Sequence, residues 1–188
     1  MGRPGRPPRV IAGEAGGRRL AVPRGGGVRP TSDRVKESVF SALGPRLVGS
    51  RVLDLYAGTG ALAIEALSRG AAGAVLVERD REALAAIATN LEATGVGPAR
   101  VIRGDVVAVL GSPPAPEGPF DLVLADPPYD LPGEDVATVL TLLAGGGWLA
   151  PESVVVIERP PGATVPPGWV STWERCYGDT LVLFLQTE

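Results

Sequence analysis

The sequence predicts an α/β protein built on a mostly parallel sheet covered on both faces, and three observations predict it. First, Val52-Leu53-Asp54-Leu55-Tyr56-Ala57-Gly58-Thr59-Gly60-Ala61-Leu62-Ala63 runs from apolar residues through two glycines into a stretch rich in strong helix formers. Second, from residue 51 onward short apolar runs alternate with helical patterns, the rhythm of βαβ units. Third, Asp54, Glu78, Asp105 and Asp126 each close one of those runs. A doubly wound topology should gather them at the carboxyl edge of the sheet, where ligands bind.

Taken in order, residues 1–8 mix Gly, Pro and Arg and read as a disordered basic extension. Residues 9–13 and 16–23 read as two short strands around a glycine turn, a small basic hairpin, and Gly25-Gly26-Gly27 as a flexible joint. Arg29-Pro30-Thr31-Ser32-Asp33 offers several N-caps for a helix with Val35, Val39 and Leu43 on one apolar stripe; Arg34 and Lys36 lie off it. Gly44-Pro45 ends that helix. Residues 9–48 thus form an N-terminal appendage and 49–188 the main domain. There, strands are expected near 52–55, 74–77, 100–103, 120–125 and 154–157. Helices are expected from 61, near 80–93 (Leu84, Ile87, Ala88 and Leu91 inward) and near 134–143. The proline-rich residues 111–119 form a surface loop. Residues 169–175 and 180–185 pair around Tyr177-Gly178-Asp179 as an antiparallel hairpin.

Composition narrows the chemistry. At 188 residues and 45% hydrophobic content the chain makes one domain with a small appendage. No apolar run approaches the ~18 residues of a membrane span. A single cysteine, Cys176, forms no internal disulfide and points to the cytoplasm. There is no histidine, so the commonest general base and transition-metal ligand is missing and no metal site is expected. Charge is uneven: residues 1–50 carry ten bases and three acids, a net +7, and residues 51–188 carry eight bases and eighteen acids, a net −10. A basic arm ahead of an acidic core suits a polyanion docked at one edge, or simply a solvated arm.

Two motifs carry the chemistry. Gly58-x-Gly60-x-x-Ala63 fits the dinucleotide fingerprint, with Glu78 placed to hold ribose hydroxyls, but this alone cannot name the ligand. Asp54, four residues before the first glycine, suits a ligand bearing a cationic amine, such as the methionyl end of S-adenosylmethionine; it also reads as a cap on the turn. Asp126-Pro127-Pro128-Tyr129 follows the fourth strand. Its prolines remove two backbone donors and leave carbonyls to accept, Asp126 adds a carboxylate, and Tyr129 offers a stacking face. Such acceptors beside a ring suit an exocyclic amine on a nucleobase, whose lone pair they would aim at a methyl donor. Alone, the motif also reads as a turn.

With these motifs in this order the chain resembles a class I S-adenosylmethionine-dependent methyltransferase. More narrowly it resembles the RsmD family of 16S ribosomal RNA (guanine-N2)-methyltransferases. The narrower match rests on Gly16-Gly17-Arg18-Arg19-Leu20, on Arg29 through Glu37, on Glu65-Ala66-Leu67-Ser68-Arg69-Gly70-Ala71 and on Tyr177-Gly178-Asp179-Thr180. The resemblance implies the Rossmann-like methyltransferase fold, with a seven-stranded sheet ending in the antiparallel hairpin. It implies S-adenosyl-L-methionine as cofactor, held by Asp54, Tyr56, Ala57, Gly58, Thr59, Gly60, Glu78, Arg79, Asp105 and Val106; Asp105 also reads as a helix N-cap. Asp126, Pro127, Pro128 and Tyr129 would form the catalytic motif on a flipped-out guanine. Arg9, Arg18, Arg19, Arg29, Thr31, Arg34 and Lys36 would face RNA, Thr31 also reading as a helix cap or a neighbour of the cofactor carboxylate. The partner implied is 16S ribosomal RNA or the assembling small subunit, met by a monomer. Rival readings are an adenine-N6 DNA methyltransferase, a protein glutamine methyltransferase, a non-catalytic RNA-binding module and a nicotinamide-dependent reductase.

Overall fold

The computed structural model describes residues 8–23 and 32–188. The expected joint at Gly25-Gly26-Gly27, the bulk of the expected extension over 1–8, and the expected RNA ligands Arg29 and Thr31 lie outside the described residues. The elements are α1 (Asp33–Leu43), a 3-10 turn (Gly44–Leu47), β1 (Arg51–Leu55), α2 (Ala61–Ser68), β2 (Gly73–Glu78), α3 (Arg81–Thr94), β3 (Ala99–Arg103), α4 (Val106–Leu110), β4 (Phe120–Ala125), α5 (Gly133–Gly145), β5 (Leu149–Arg159), β6 (Trp169–Tyr177) and β7 (Thr180–Thr187). They form one seven-stranded sheet in the order β3-β2-β1-β4-β5-β7-β6. The first five strands are parallel, and β7 runs antiparallel between β5 and β6. Chain order reverses between β1 and β4, which places the ligand crevice above their carboxyl ends.

Strand alternation builds the two layers. Leu53, Val75 and Val123 share a core with Leu110, Leu140, Leu143 and Trp148 from the α4–α5 side. Val52, Leu76 and Leu124 pack with Val39, Phe40, Ile64 and Ile87 from the α1, α2 and α3 side. Asp54 alternates onto this second face, below α2. Ser32 caps α1, its Oγ accepting from Val35 N at 3.3 Å, and the expected stripe of Val35, Val39 and Leu43 is buried.

Four expectations are corrected. The N-terminal hairpin is a single bridge, Arg9 to Arg19, rather than two strands. The backbone donors of its turn go to α2: Ile11 N and Ala12 N donate to Glu65, and Ala15 N to Ser68 Oγ. On α3, Ala88 is exposed, and Ala83, Ala86, Ile87, Asn90 and Thr94 face inward. The helix turns this way because Asn90 finds interior hydrogen-bond partners in Ala21 and Thr59 O, while the Thr94 hydroxyl is satisfied by Asn90 O one turn back, which apolar counting alone overlooks. Residues 106–110, given no element from sequence, form α4, and Asp105 is its N-cap, Oδ1 accepting from Val107 N at 3.0 Å. Finally, β5 extends to Arg159 through charged residues that end its apolar run early.

Candidate active site

A cavity of about 500 Å3 opens above the carboxyl ends of β1, β2, β4 and β5. Asp54, Glu78, Asp105 and Asp126 all line it, together with Tyr56, Ala57, Gly58, Thr59, Arg79, Val106 and Pro127, Pro128 and Tyr129. Four carboxylates far apart in the chain therefore meet because each sits at or just past a strand end. Gly60 is the exception among the expected cofactor residues. It is not part of the cavity wall but the left-handed N-cap of α2 at φ +75°, where a Cβ would lie 3.1 Å from Leu76. It shapes the turn that others line.

Asp54 is 1% exposed, and its Oδ2 accepts from Ala63 N at 3.0 Å. Burial pushes its carboxyl up to about 8, with Asp126 and Glu78 adding repulsion against the pull of the Ala63 hydrogen bond. Glu78 organises the loop beside it: Oε2 accepts from Gly58 N at 2.7 Å, and Oε1 accepts from Arg79 N at 2.7 Å and Asp80 N at 2.8 Å. Tyr56 holds a left-handed backbone at φ +59°, unusual for a residue with a Cβ and characteristic of strained functional turns. Burial raises its phenol, Asp105 adding to the shift. Asp105 Oδ2 pairs with Arg79 Nη1 at 3.3 Å. The wall is thus strongly acidic, an environment that favours a cationic ligand.

The mouth joins the two ends of the chain. Ser32 and Val35 at the start of α1 line the cavity, as do Tyr177, Asp179 and Thr180 around the β6–β7 turn. The Tyr177 hydroxyl donates to Ser38 Oγ on α1, and the Tyr129 hydroxyl donates to Asp179 O at 3.4 Å. Tyr129 itself is 60% exposed, with its ring open to a stacking partner. Tyr177, Asp179 and Thr180 were visible from sequence only as a family mark, and Ser32, Val35, Glu158 and Arg159 were given no part in the site. The rule that found the other strand ends would have found Glu158 and Arg159 had β5 been drawn to its full length. Arg159 Nη2 donates to Leu131 O at 3.2 Å, tying β5 to the segment after Tyr129.

The basic residues divide into two groups. Arg9, Arg19 and Arg34 are exposed, and Arg9 Nε meets Asp33 Oδ2 at 2.9 Å at the start of α1. Lys36 corrects the expectation of RNA contact, and Arg18, although exposed, is tied to α3. Lys36 is fully buried, its Nζ donating to Arg9 O and standing 3.9 Å from Asp33 Oδ1, and burial lowers its pKa. Arg18 Nη1 donates to Ala93 O at 2.7 Å and Thr94 O at 2.6 Å, closing the C-terminus of α3. Lys36 ties α1 to the start of the appendage, and Arg18 ties the appendage to α3 of the main domain. Among the described residues no cluster of His, Cys, Asp or Glu is arranged to hold a metal ion, and no helix is long and apolar enough to cross a membrane.

Comparison with known proteins agrees with this geometry. A family model described as conserved hypothetical protein 95 matches residues 8–186. The ribosomal RNA small subunit methyltransferase D of Escherichia coli K12 is 38% identical over 184 residues, covering 96% of this chain and 90% of that protein. The Haemophilus influenzae protein of the same name is 34% identical over 174 residues, covering 90% and 89%. A solved E. coli structure assigned as the methyltransferase yhhF superposes with a TM-score of 0.83 at 38% identity, covering 96% of this chain and 97% of that one. A hypothetical protein of Thermus thermophilus superposes with a TM-score of 0.76 at 31% identity, covering 94% and 97%.

Proposed function

We infer the function from family membership: the chain belongs to the conserved hypothetical protein 95 family, the RsmD family. The protein is a class I methyltransferase that modifies small-subunit ribosomal RNA. We propose that its methyl donor is S-adenosylmethionine and its acceptor the exocyclic N2 of a guanine in 16S RNA. The observation that carries this reading is the convergence of four strand-end carboxylates and the Asp126-Pro127-Pro128-Tyr129 motif on one cavity beside a basic arm.

The cavity suits the donor. Its volume lies within the usual range for small-molecule sites, roughly 300–1,000 Å3. Asp54, buried and held mostly protonated, gains a counter-ion from an ammonium group, which suits the methionyl end. Glu78 would hold the ribose hydroxyls, and Asp105 with Val106 would border the adenine. When bound, S-adenosylmethionine supplies a methyl group already activated by its sulfonium. The chain's own task is orientation. The Asp126 carboxylate and a carbonyl of the Pro127-Pro128 segment accept hydrogens of the target amine and turn its lone pair toward the donor. Tyr129 stacks on the base, and Asp126 takes up the proton that N2 gives up as the N–C bond forms. Arg9, Arg19 and Arg34 hold RNA phosphates.

The test is transfer of labelled methyl to unmethylated small-subunit particles, naked 16S RNA and duplex DNA in parallel, followed by nucleoside analysis. Label in N2-methylguanosine is expected. Label in N6-methyladenine of DNA instead would overturn the proposed substrate while keeping the cavity chemistry.

A further inference from the structure

One buried polar side chain joins the cavity loop to the N-terminal segment. Asn90 on α3 is 1% exposed. Its Nδ2 donates to Thr59 O at 2.9 Å and to Ala21 O at 3.0 Å, and its Oδ1 accepts from Ala21 N at 2.7 Å. Thr59 is the central residue of the Gly58-Thr59-Gly60 loop and lines the cavity. Ala21 lies where the described part of the arm ends, two residues before Pro23. One amide thus grips the cofactor loop from behind and the exit of the basic arm at once.

This geometry constrains motion. The amide group is planar, so its two N–H bonds and its carbonyl turn together. An opening that pulls Ala21 away strips the buried Asn90 amide of two of its three hydrogen bonds, and its remaining hold on Thr59 O is left unbraced. A ligand that fixes the Gly58–Thr59–Gly60 backbone fixes the Thr59 carbonyl and makes that opening rarer. Rigidity gained at one site then lowers the ordering cost at the other, without any change of fold.

We propose that Asn90 is a positioning residue that couples cofactor binding to docking of the segment 8–23, which carries Arg9 and Arg19, so that each ligand strengthens binding of the other. The inference rests on the cofactor and RNA roles proposed above. Linkage makes the effect reciprocal: whatever factor the cofactor lends to RNA affinity, RNA lends to cofactor affinity.

The experiment is amide hydrogen exchange of Ala21, read by NMR on the full chain with and without saturating S-adenosylhomocysteine, whose binding is measured separately by calorimetry. In the wild-type protein the ligand is expected to slow Ala21 exchange by roughly 5–150-fold, the usual span of coupling between sites. Asn90→Asp keeps the acceptor for Ala21 N–H but loses both donors. That variant should bind the ligand yet show the same Ala21 exchange in its presence and absence. A bond that merely braces the fold would slow exchange equally in both conditions. The wild-type measurement needs no variant: ligand bound with no change at Ala21 overturns the coupling and leaves the proposed function intact. Equal slowing in Asn90→Asp overturns the role of Asn90. Failure of the wild-type protein to bind the ligand overturns the cofactor reading and the coupling with it.

Discussion

A carboxyl as deeply buried as Asp54 carries a pH signature. Its folded pKa, about 8, lies above its ordinary value, so its favourable contribution to the ligand-free fold is complete below about pH 4 and lost as pH rises through 8. A cationic partner reverses the preference and expels the proton. Affinity for S-adenosylhomocysteine should therefore rise with pH, by up to about tenfold per unit, and level off above 8. Calorimetry across pH 6–9 checks this, and Asp54→Asn should flatten the profile. Asp126 makes a separate prediction. Asp126→Ala should lower kcat by at least about 100-fold, the scale of losing one oriented electrostatic contact, with cofactor affinity nearly unchanged; near-normal turnover would remove the residue from the mechanism. Both acids were legible in the sequence because each terminates an apolar run. Lys36 and Arg18 were not. A cation looks like surface until its partners are known, and theirs are backbone carbonyls brought by distant segments: Arg9 for one, Ala93 and Thr94 for the other.

Helix α2 shows how one element can serve two neighbours. Its N-terminal turn receives Asp54 through Ala63 N, and its far side seats the arm through Glu65 and Ser68. Nearly the whole helix is buried as a result, including a glutamate at 0% exposure whose charge is met by Arg69 Nε at 2.6 Å and two backbone N–H groups. Gly13 fits against it at φ +84°, and a Cβ there would stand 1.7 Å from Ser68 O. Gly13→Ala should thus cost about 3 kcal/mol, a steric clash added to backbone strain, as measured by urea unfolding. The residues 65–71 were visible as a family mark, yet their task was hidden, since a buried glutamate on a helix reads as a solvent-facing one until the chain that covers it is placed. The strand–glycine–helix opening, by contrast, was fully legible, because its turn chemistry and hydrophobic period lie within a dozen residues.

At the scale of the whole molecule, charge is sorted by position: a basic first quarter borders a cavity walled with acids. The two populations of arginine should separate in solution. Arg19→Gln and Arg34→Gln together should weaken RNA binding and flatten its salt dependence, each lost phosphate contact removing about 0.7 from the logarithmic slope on single-stranded RNA. Arg18→Gln should leave that slope unchanged and instead lower stability by about 0.3–1 kcal/mol, the worth of a cation at a helix C-terminus. Anisotropy titrations across a salt series, with urea unfolding alongside, distinguish them. The mostly parallel sheet with its antiparallel hairpin was predictable from the alternation of strands and helices, but the meeting of Ser38 with Tyr177, 139 residues later, was not, because no local pattern encodes so distant a pairing. That pairing has a consequence for how the enzyme is born. Synthesis runs from the amino end, so the arm, α1 and most of the cofactor wall emerge before residues 177–180 exist, and β5 waits with an unpaired edge for β7. While still threaded through a ribosome, the growing chain has cations but no finished mouth, and so it lacks the full grip on the very kind of RNA that surrounds it until it is nearly free to leave.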